Sequence, residues 1–144
     1  MTLAFIAPEP SSPPRFWAVI PCAGVGARAM AAGALEPSLP KQYQPLLGQP
    51  LVLHTLAAFA AVPQLAGTLV AVASGDDFLA AYPSSRYFTV PCGGPSRAQT
   101  VLGALRALLQ RGAQADDWVL VHDAARCLVT SLQIETLIAE CQHD

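Results

Sequence analysis

Short apolar runs alternate along this chain with stretches of helical periodicity. Residues 16–20, Phe-Trp-Ala-Val-Ile, lack any polar break, as a strand buried on both faces requires, and Pro21 ends the run. Residues 51–61 are apolar and long enough for a helix, lying between Pro50 and Pro63. Residues 68–73 predict a second buried strand, after which Ser74-Gly75-Asp76-Asp77 opens a short helical turn. Residues 86–90 predict a third strand, with Tyr87, Phe88, Thr89 and Val90 all favourable there. Over residues 96–111, Ala98, Val101, Leu102, Leu105, Leu108 and Leu109 recur with helical period, and Gly112 supplies a stop. Residues 118–121 predict a fourth strand, and Ile134, Leu137, Ile138 and Cys141 line one face of a last helix. Strands alternating with helices imply parallel pairing through right-handed crossovers, an α/β sandwich.

Composition narrows the classes. Hydrophobic residues make up 53% of the 144 and charged residues 12%, enough for a core and too apolar for disorder. A net charge of −2 excludes the strongly basic footprint of sequence-independent nucleic-acid binding. No apolar run reaches the length of a membrane span. The expected partners are therefore small molecules, with neither nucleic acid nor membrane. Residues 1–15 are proline-rich, with their single basic residue last; they lack the order of a secretory signal and read as a loose arm before a domain at 16–144. Cys22, Cys92, Cys127 and Cys141 form no CxxC pair and are expected to be four reduced thiols in a cytoplasmic protein.

In open α/β sheets, ligands sit beyond the carboxyl ends of the strands. The first strand runs into Pro21-Cys22-Ala23-Gly24-Val25-Gly26-Ala27-Arg28. Its glycines let the backbone approach a phosphate, its N–H groups can form an anion nest, and Arg28 adds a planar cationic fork. A glycine turn with a solvated arginine would look the same in isolation. Pro40-Lys41-Gln42-Tyr43, in the same crossover, brings a second cation to this end of the sheet, and Lys41 is the sole lysine of the chain.

The third strand leads into Gly93-Gly94-Pro95-Ser96-Arg97-Ala98-Gln99-Thr100, where Arg97 and Thr100 share a face at the positive end of a helix. An ordinary capped helix with an exposed arginine fits that segment too. The fourth strand ends in His122-Asp123-Ala124-Ala125-Arg126. An aspartate directly after a buried strand is a rigid place for a Mg²⁺ carboxylate; the alternative is a side chain that caps the next turn or pairs with Arg126. His122 reads more simply as a packed histidine bonded to backbone than as a metal ligand, and His54 and His143 have no partner motif.

Together these segments resemble the 2-C-methyl-D-erythritol 4-phosphate cytidylyltransferases. Residues 21–28 look like the family's P-A-A-G-x-G-x-R loop, with Cys22 in place of an alanine. Residues 40–43 match P-K-Q-Y, residues 93–101 are similar to G-G-x-x-R-x-x-S-V, and residues 119–126 match V-L-V-H-D-A-A-R. The resemblance implies a Rossmann-like nucleotidyltransferase sandwich with a mostly parallel sheet. It also implies transfer of a cytidylyl group from CTP to methylerythritol phosphate, with pyrophosphate released and Mg²⁺ required. By that similarity Arg28 and Lys41 would be catalytic, stabilising charge at the reacting α-phosphorus. Cys22, Ala23, Gly24, Gly26, Gly93, Arg97 and Thr100 would hold the nucleotide, and Asp123 the metal. The attacking phosphate is already anionic and needs no general base, so positioning and charge neutralisation suffice.

Three departures stand out. Residues 29–40 form a longer loop than the family's, and Cys127 replaces the proline that usually follows H-D-A-A-R. Family members also continue well beyond residue 144. Their further half supplies a dimerisation arm, the groups that hold the acceptor and a second metal-binding aspartate. The sheet is therefore expected to be incomplete at its C-terminal side, and the chain could be a CTP-binding module without turnover. Ribitol-5-phosphate cytidylyltransferase is the close rival; Tyr43 and Ala125 tilt against it, because ribitol enzymes tend to carry Phe and Val there. A dinucleotide-binding oxidoreductase would want an acidic residue roughly 20 positions after its glycines, where this chain has Gln44.

Overall fold

The computed structural model describes residues 13–24 and 39–143. Four parallel strands form the main sheet: β1 (Phe16–Cys22), β4 (Leu65–Val72), β5 (Phe88–Val90) and β6 (Trp118–Val121), in the order β5-β4-β1-β6. A two-stranded antiparallel hairpin, β2 (Pro45–Leu46) and β3 (Gln49–Pro50), leads into α1 (Leu51–Ala60). Helices α2 (Arg97–Gln110) and α3 (Ser131–Cys141) complete the regular elements. From β1 the chain builds outward through β4 to β5, then crosses back to place β6 on the other side of β1. The strand order therefore reverses between β1 and β6, which opens a crevice at their carboxyl ends. This is the α/β sandwich that the alternation predicts, and among the described residues β5 and β6 are its two edges.

Period-two alternation sends the residues of β1 to two cores. Phe16, Ala18, Ile20 and Cys22 face α1 and α3, together with Val70, Val72, Val52, Leu56 and Ile138. Trp17 and Val19 face α2, with Leu69, Ala71, Ala104, Ala107 and Leu108.

Several boundaries differ from the sequence reading. Pro21 does not end β1, which continues to Cys22, opposite Ala71 and Val72. The Val19 carbonyl accepts from His122 N–H, so Pro21, two residues on, turns its backbone to the same side, where β6 has already stopped at Val121. The missing N–H of proline costs no ladder bond there. β4 begins at Leu65 rather than residue 68, because Gly67 slips under the Trp17 ring, where a Cβ would lie 3.1 Å from the indole. The third strand is shorter than residues 86–90, and the turn after β4 becomes helical only at Phe78–Ala81. The hairpin went unread; its turn needs Leu47 and Gly48 at φ 52 and 81, conformations that Gly48 alone signals.

The largest correction concerns α2. Its buried face is Thr100, Ala104, Ala107 and Leu108, whereas Leu102 and Leu109 of the expected apolar stripe are exposed. Small side chains let the helix lie close over Trp17 and Leu69, and close packing outweighs the hydrophobicity of the leucines.

Residues 1–12 of the expected arm lie outside the described residues. Arg15 belongs to the fold: its N–H donates to Asp117 Oδ1 at 2.8 Å, and its guanidinium lies over the Trp17 ring.

Candidate functional site

The loop leaving β1 is braced from below. Cys22 is buried, and its Sγ donates to the Tyr43 hydroxyl at 3.6 Å. Burial pushes this thiol up to about 12, so it stays protonated and inert, and only its backbone can serve a ligand. Gly24 is exposed, and a Cβ there would meet nothing within 4 Å; its carbonyl accepts from Gln42 Nε2 at 2.8 Å. Gly26 and Arg28 lie outside the described residues.

Lys41, Gln42 and Tyr43 form one 3-10 turn. Lys41 is exposed and makes no ion pair among the described residues, while Gln42 and Tyr43 are buried and carry the turn's tertiary bonds. Gln42 Nε2 also reaches the Cys22 carbonyl at 3.4 Å. The Tyr43 hydroxyl donates to Asp76 Oδ2 at 2.5 Å.

The loop before α2 closes against the same place. A Cβ on Gly93 would fall 2.4 Å from Ala23 Cβ and 2.9 Å from the Val72 carbonyl, so only glycine lets the two loops touch. The Gly93 N–H is committed to Val72 at 2.9 Å, which makes this residue a packing glycine. Thr100 is buried, and its hydroxyl accepts from Gly94 N–H at 3.0 Å, stapling the loop to α2. Ser96 caps the helix by accepting from Gln99 N–H. Arg97 then projects to Asp123, with Nε and Nη2 each 3.0 Å from Oδ1.

Asp123 is thereby gripped from two sides, since Arg126 Nε stands 2.9 Å from Oδ2. The pairing reading of this aspartate is realised, and Arg97 joins it. His122 is half-buried, bonded through Nε2 to the Arg126 carbonyl and packed on Phe59. Thr55 of α1 donates to the Ala124 carbonyl at 2.8 Å and pins the segment after β6. No group of three or more His, Cys, Asp or Glu side chains comes together among the described residues. An all-protein metal cage is thus not formed by them. Asp123, 37% exposed at the crevice, could meet a cation that brings phosphate oxygens as its other ligands only by giving up a bond to Arg97 or Arg126.

The strand ends thus bring together Cys22, Ala23, Gly24, Lys41 and Gly93, and bring Arg97 onto Asp123. Lys41, exposed and without an ion pair among the described residues, is the cation at this edge that a polyanion could meet. Sequence reasoning missed Gln42, Tyr43 and Asp76 as structural braces; the fixed spacing of Pro40-Lys41-Gln42-Tyr43 was the signal that could have found the first two.

Comparison with known proteins identifies the family and the fold. The family model "IspD: 2-C-methyl-D-erythritol 4-phosphate cytidylyltransferase" matches residues 16–144. A bifunctional IspD/IspF enzyme of Albidiferax ferrireducens is 54% identical over 139 residues, which cover 95% of this chain and 32% of that one. The 2-C-methyl-D-erythritol 4-phosphate cytidylyltransferase of Bordetella pertussis is 45% identical over 129 residues, covering 88% of this chain and 55% of its own. A crystal structure of 4-diphosphocytidyl-2C-methyl-D-erythritol synthase superposes with a TM-score of 0.71 at 28% identity, over 92% of this chain and 56% of that one. The chain therefore spans about half the length of the single-function relatives it matches. Within that span, the chain belongs to the 2-C-methyl-D-erythritol 4-phosphate cytidylyltransferase family.

Proposed function

We propose that this chain serves cytidylyl transfer from CTP to 2-C-methyl-D-erythritol 4-phosphate, with release of pyrophosphate, and that it contributes the nucleotide-binding half. The observation that carries the reading is the interlocking of four motif segments at one strand-end crevice: Gly93 against Ala23, Gln42 on Gly24, and Arg97 on Asp123. The backbone around Gly24 would lie along the phosphates of CTP. Lys41, with Arg28, would neutralise charge as it builds around the α-phosphorus. Asp123 would meet a Mg²⁺ ion carried on the phosphates, which supplies further charge neutralisation there. The acceptor brings its own anionic phosphate oxygen as nucleophile, so no protein base is required. The small-molecule partners are CTP and a sugar-alcohol phosphate, and the unpaired thiols suit a cytoplasmic setting.

The test is pyrophosphate release by the 144-residue chain with CTP, methylerythritol phosphate and Mg²⁺. Release that disappears in Lys41→Ala supports the complete reaction. CTP binding without release identifies a nucleotide-binding module that lacks turnover. Absence of both overturns the reading, as does release with ribitol 5-phosphate in preference to methylerythritol phosphate.

A further inference from the structure

A single 3-10 turn of three residues cannot hold its own position, because its few local bonds do not repay the ordering of its backbone. The turn that presents Lys41 is fixed from outside. Tyr43 is 3% exposed, its ring stacks on Phe78 at 4.0 Å between centroids, and its hydroxyl donates to Asp76 Oδ2 at 2.5 Å. Asp76 is itself held, with Oδ1 accepting from Phe78 N–H at 3.0 Å and its own N–H bonded to the Ala73 carbonyl at 3.0 Å. A carboxylate beside a crevice that suits polyanions is electrostatically adverse unless it has another task. Here both of its oxygens are occupied by fixed donors.

We propose that Tyr43 and Asp76 are positioning residues for Lys41: their part-buried hydrogen bond ties the Lys41–Tyr43 turn to the loop after β4 and so sets where the ammonium meets the nucleotide. The inference rests on the nucleotide-binding reading above and assigns the turn after β4 a part in it. A phenol–carboxylate bond is charge-assisted and short, and therefore directional enough to fix a turn. Burial, and then the bond to Asp76, push the Tyr43 phenol far above its ordinary range, so it remains a donor at every pH the fold survives.

The experiment is a double-mutant cycle read by equilibrium titration of the chain with CTP and Mg²⁺. Tyr43→Phe keeps the ring on Phe78 and deletes only the hydroxyl; it is expected to weaken CTP binding about tenfold, the scale of one hydrogen bond to a charged group. In a Lys41→Ala background the same substitution is expected to change affinity by less than about twofold, because a residue that acts through Lys41 has nothing left to position. Asp76→Asn has one acceptor oxygen for two donors and is expected to fall between wild type and Asp76→Ala, which follows Tyr43→Phe. If Tyr43→Phe does not fold, the Asp76 pair carries the same cycle.

A purely structural role would lower the melting temperature and weaken CTP equally in both backgrounds, and that result overturns the proposal. Unchanged affinity in Tyr43→Phe, with Lys41→Ala still weakened, overturns it while leaving the nucleotide reading intact. A readout that needs no CTP is available because Lys41 is the only lysine. Reductive ¹³C-methylation gives it one side-chain NMR signal beside the terminal amine, and Tyr43→Phe is expected to shift or narrow that signal as the turn loosens. A signal unchanged in position and width by the substitution contradicts the anchoring. Failure of wild type to bind CTP removes the nucleotide reading and this inference together.

Discussion

The β1–β4 side of the sheet and the β6 side are both built from apolar residues, but only one side buries them. Ile20, Leu69 and Val70 are fully buried, with helices covering both faces of their strands. Across the sheet, Trp118 and Val121 of β6 and Leu132 and Leu137 of α3 stand exposed. An apolar cavity of about 180 Å³, lined by Phe59, Leu120, Val121, Val129 and Leu137 among others, opens between β6 and α3. The loop leaving β1, the Lys41 turn and Gly93 are braced by the sealed side. Asp123 springs from the open flank, where Arg97 reaches across from α2 to Oδ1 and Arg126 holds Oδ2. The described part of the crevice is thus braced by buried packing at residues 22–24, 41–43 and 93, and by two exposed ion pairs at Asp123.

Stability should follow the same division. Leu69→Ala, on the sealed side, is expected to cost about 2–5 kcal/mol in urea unfolding, the range for deleting a fully buried leucine. Leu137→Ala, at a side chain 51% exposed, should cost less than about 1 kcal/mol. Equal losses at the two positions would break the comparison.

Asp117 joins the two sides at the amino ends of β1 and β6. Its side chain is 3% exposed and accepts from the N–H groups of Arg15 and Gln114 and from Trp17 Nε1. Asp117→Ala, which leaves those donors unpaired, should cost about 1–3 kcal/mol. Burial alone would raise this carboxyl, but the bonds from Gln114, Arg15 and Trp17 outweigh it and hold the group below its ordinary value. A folded value below the unfolded one means the contribution is fully present above the unfolded carboxylate range, near about 3.9, and is lost as pH falls through the folded value. The urea midpoint should therefore drop more steeply in acid for wild type than for Asp117→Asn; matched slopes would contradict this. Smaller still, Thr55→Val should cost about 1 kcal/mol by removing the buried bond to Ala124, measured by the same unfolding.

Much of this architecture was legible in the sequence because two-faced burial writes unbroken apolar runs, as residues 16–20 and 118–121 show. Pro21 misled because its permissibility depends on where a neighbouring strand stops, a fact that no local pattern contains. The α2 face misled because Leu102 and Leu109 are the most hydrophobic residues on it, whereas Ala104 and Ala107 are the ones small enough to approach the sheet. At the site, the types and spacing of Lys41, Gly93, Arg97 and Asp123 were readable. That Asp76 anchors Tyr43 depends on a contact between loops distant in sequence, which spacing cannot reveal.

The central claim is that the loops at the β1 and β6 strand ends form a nucleotide site within these 144 residues. Its most direct test is isothermal titration of the purified chain with CTP and Mg²⁺, alongside Lys41→Ala and with a nicotinamide dinucleotide as competitor. The account predicts saturable one-to-one binding of CTP, weakened at least about tenfold by Lys41→Ala, the scale of losing a charged contact, and untouched by the dinucleotide. No CTP binding, equal binding by Lys41→Ala, or displacement by the dinucleotide would contradict it.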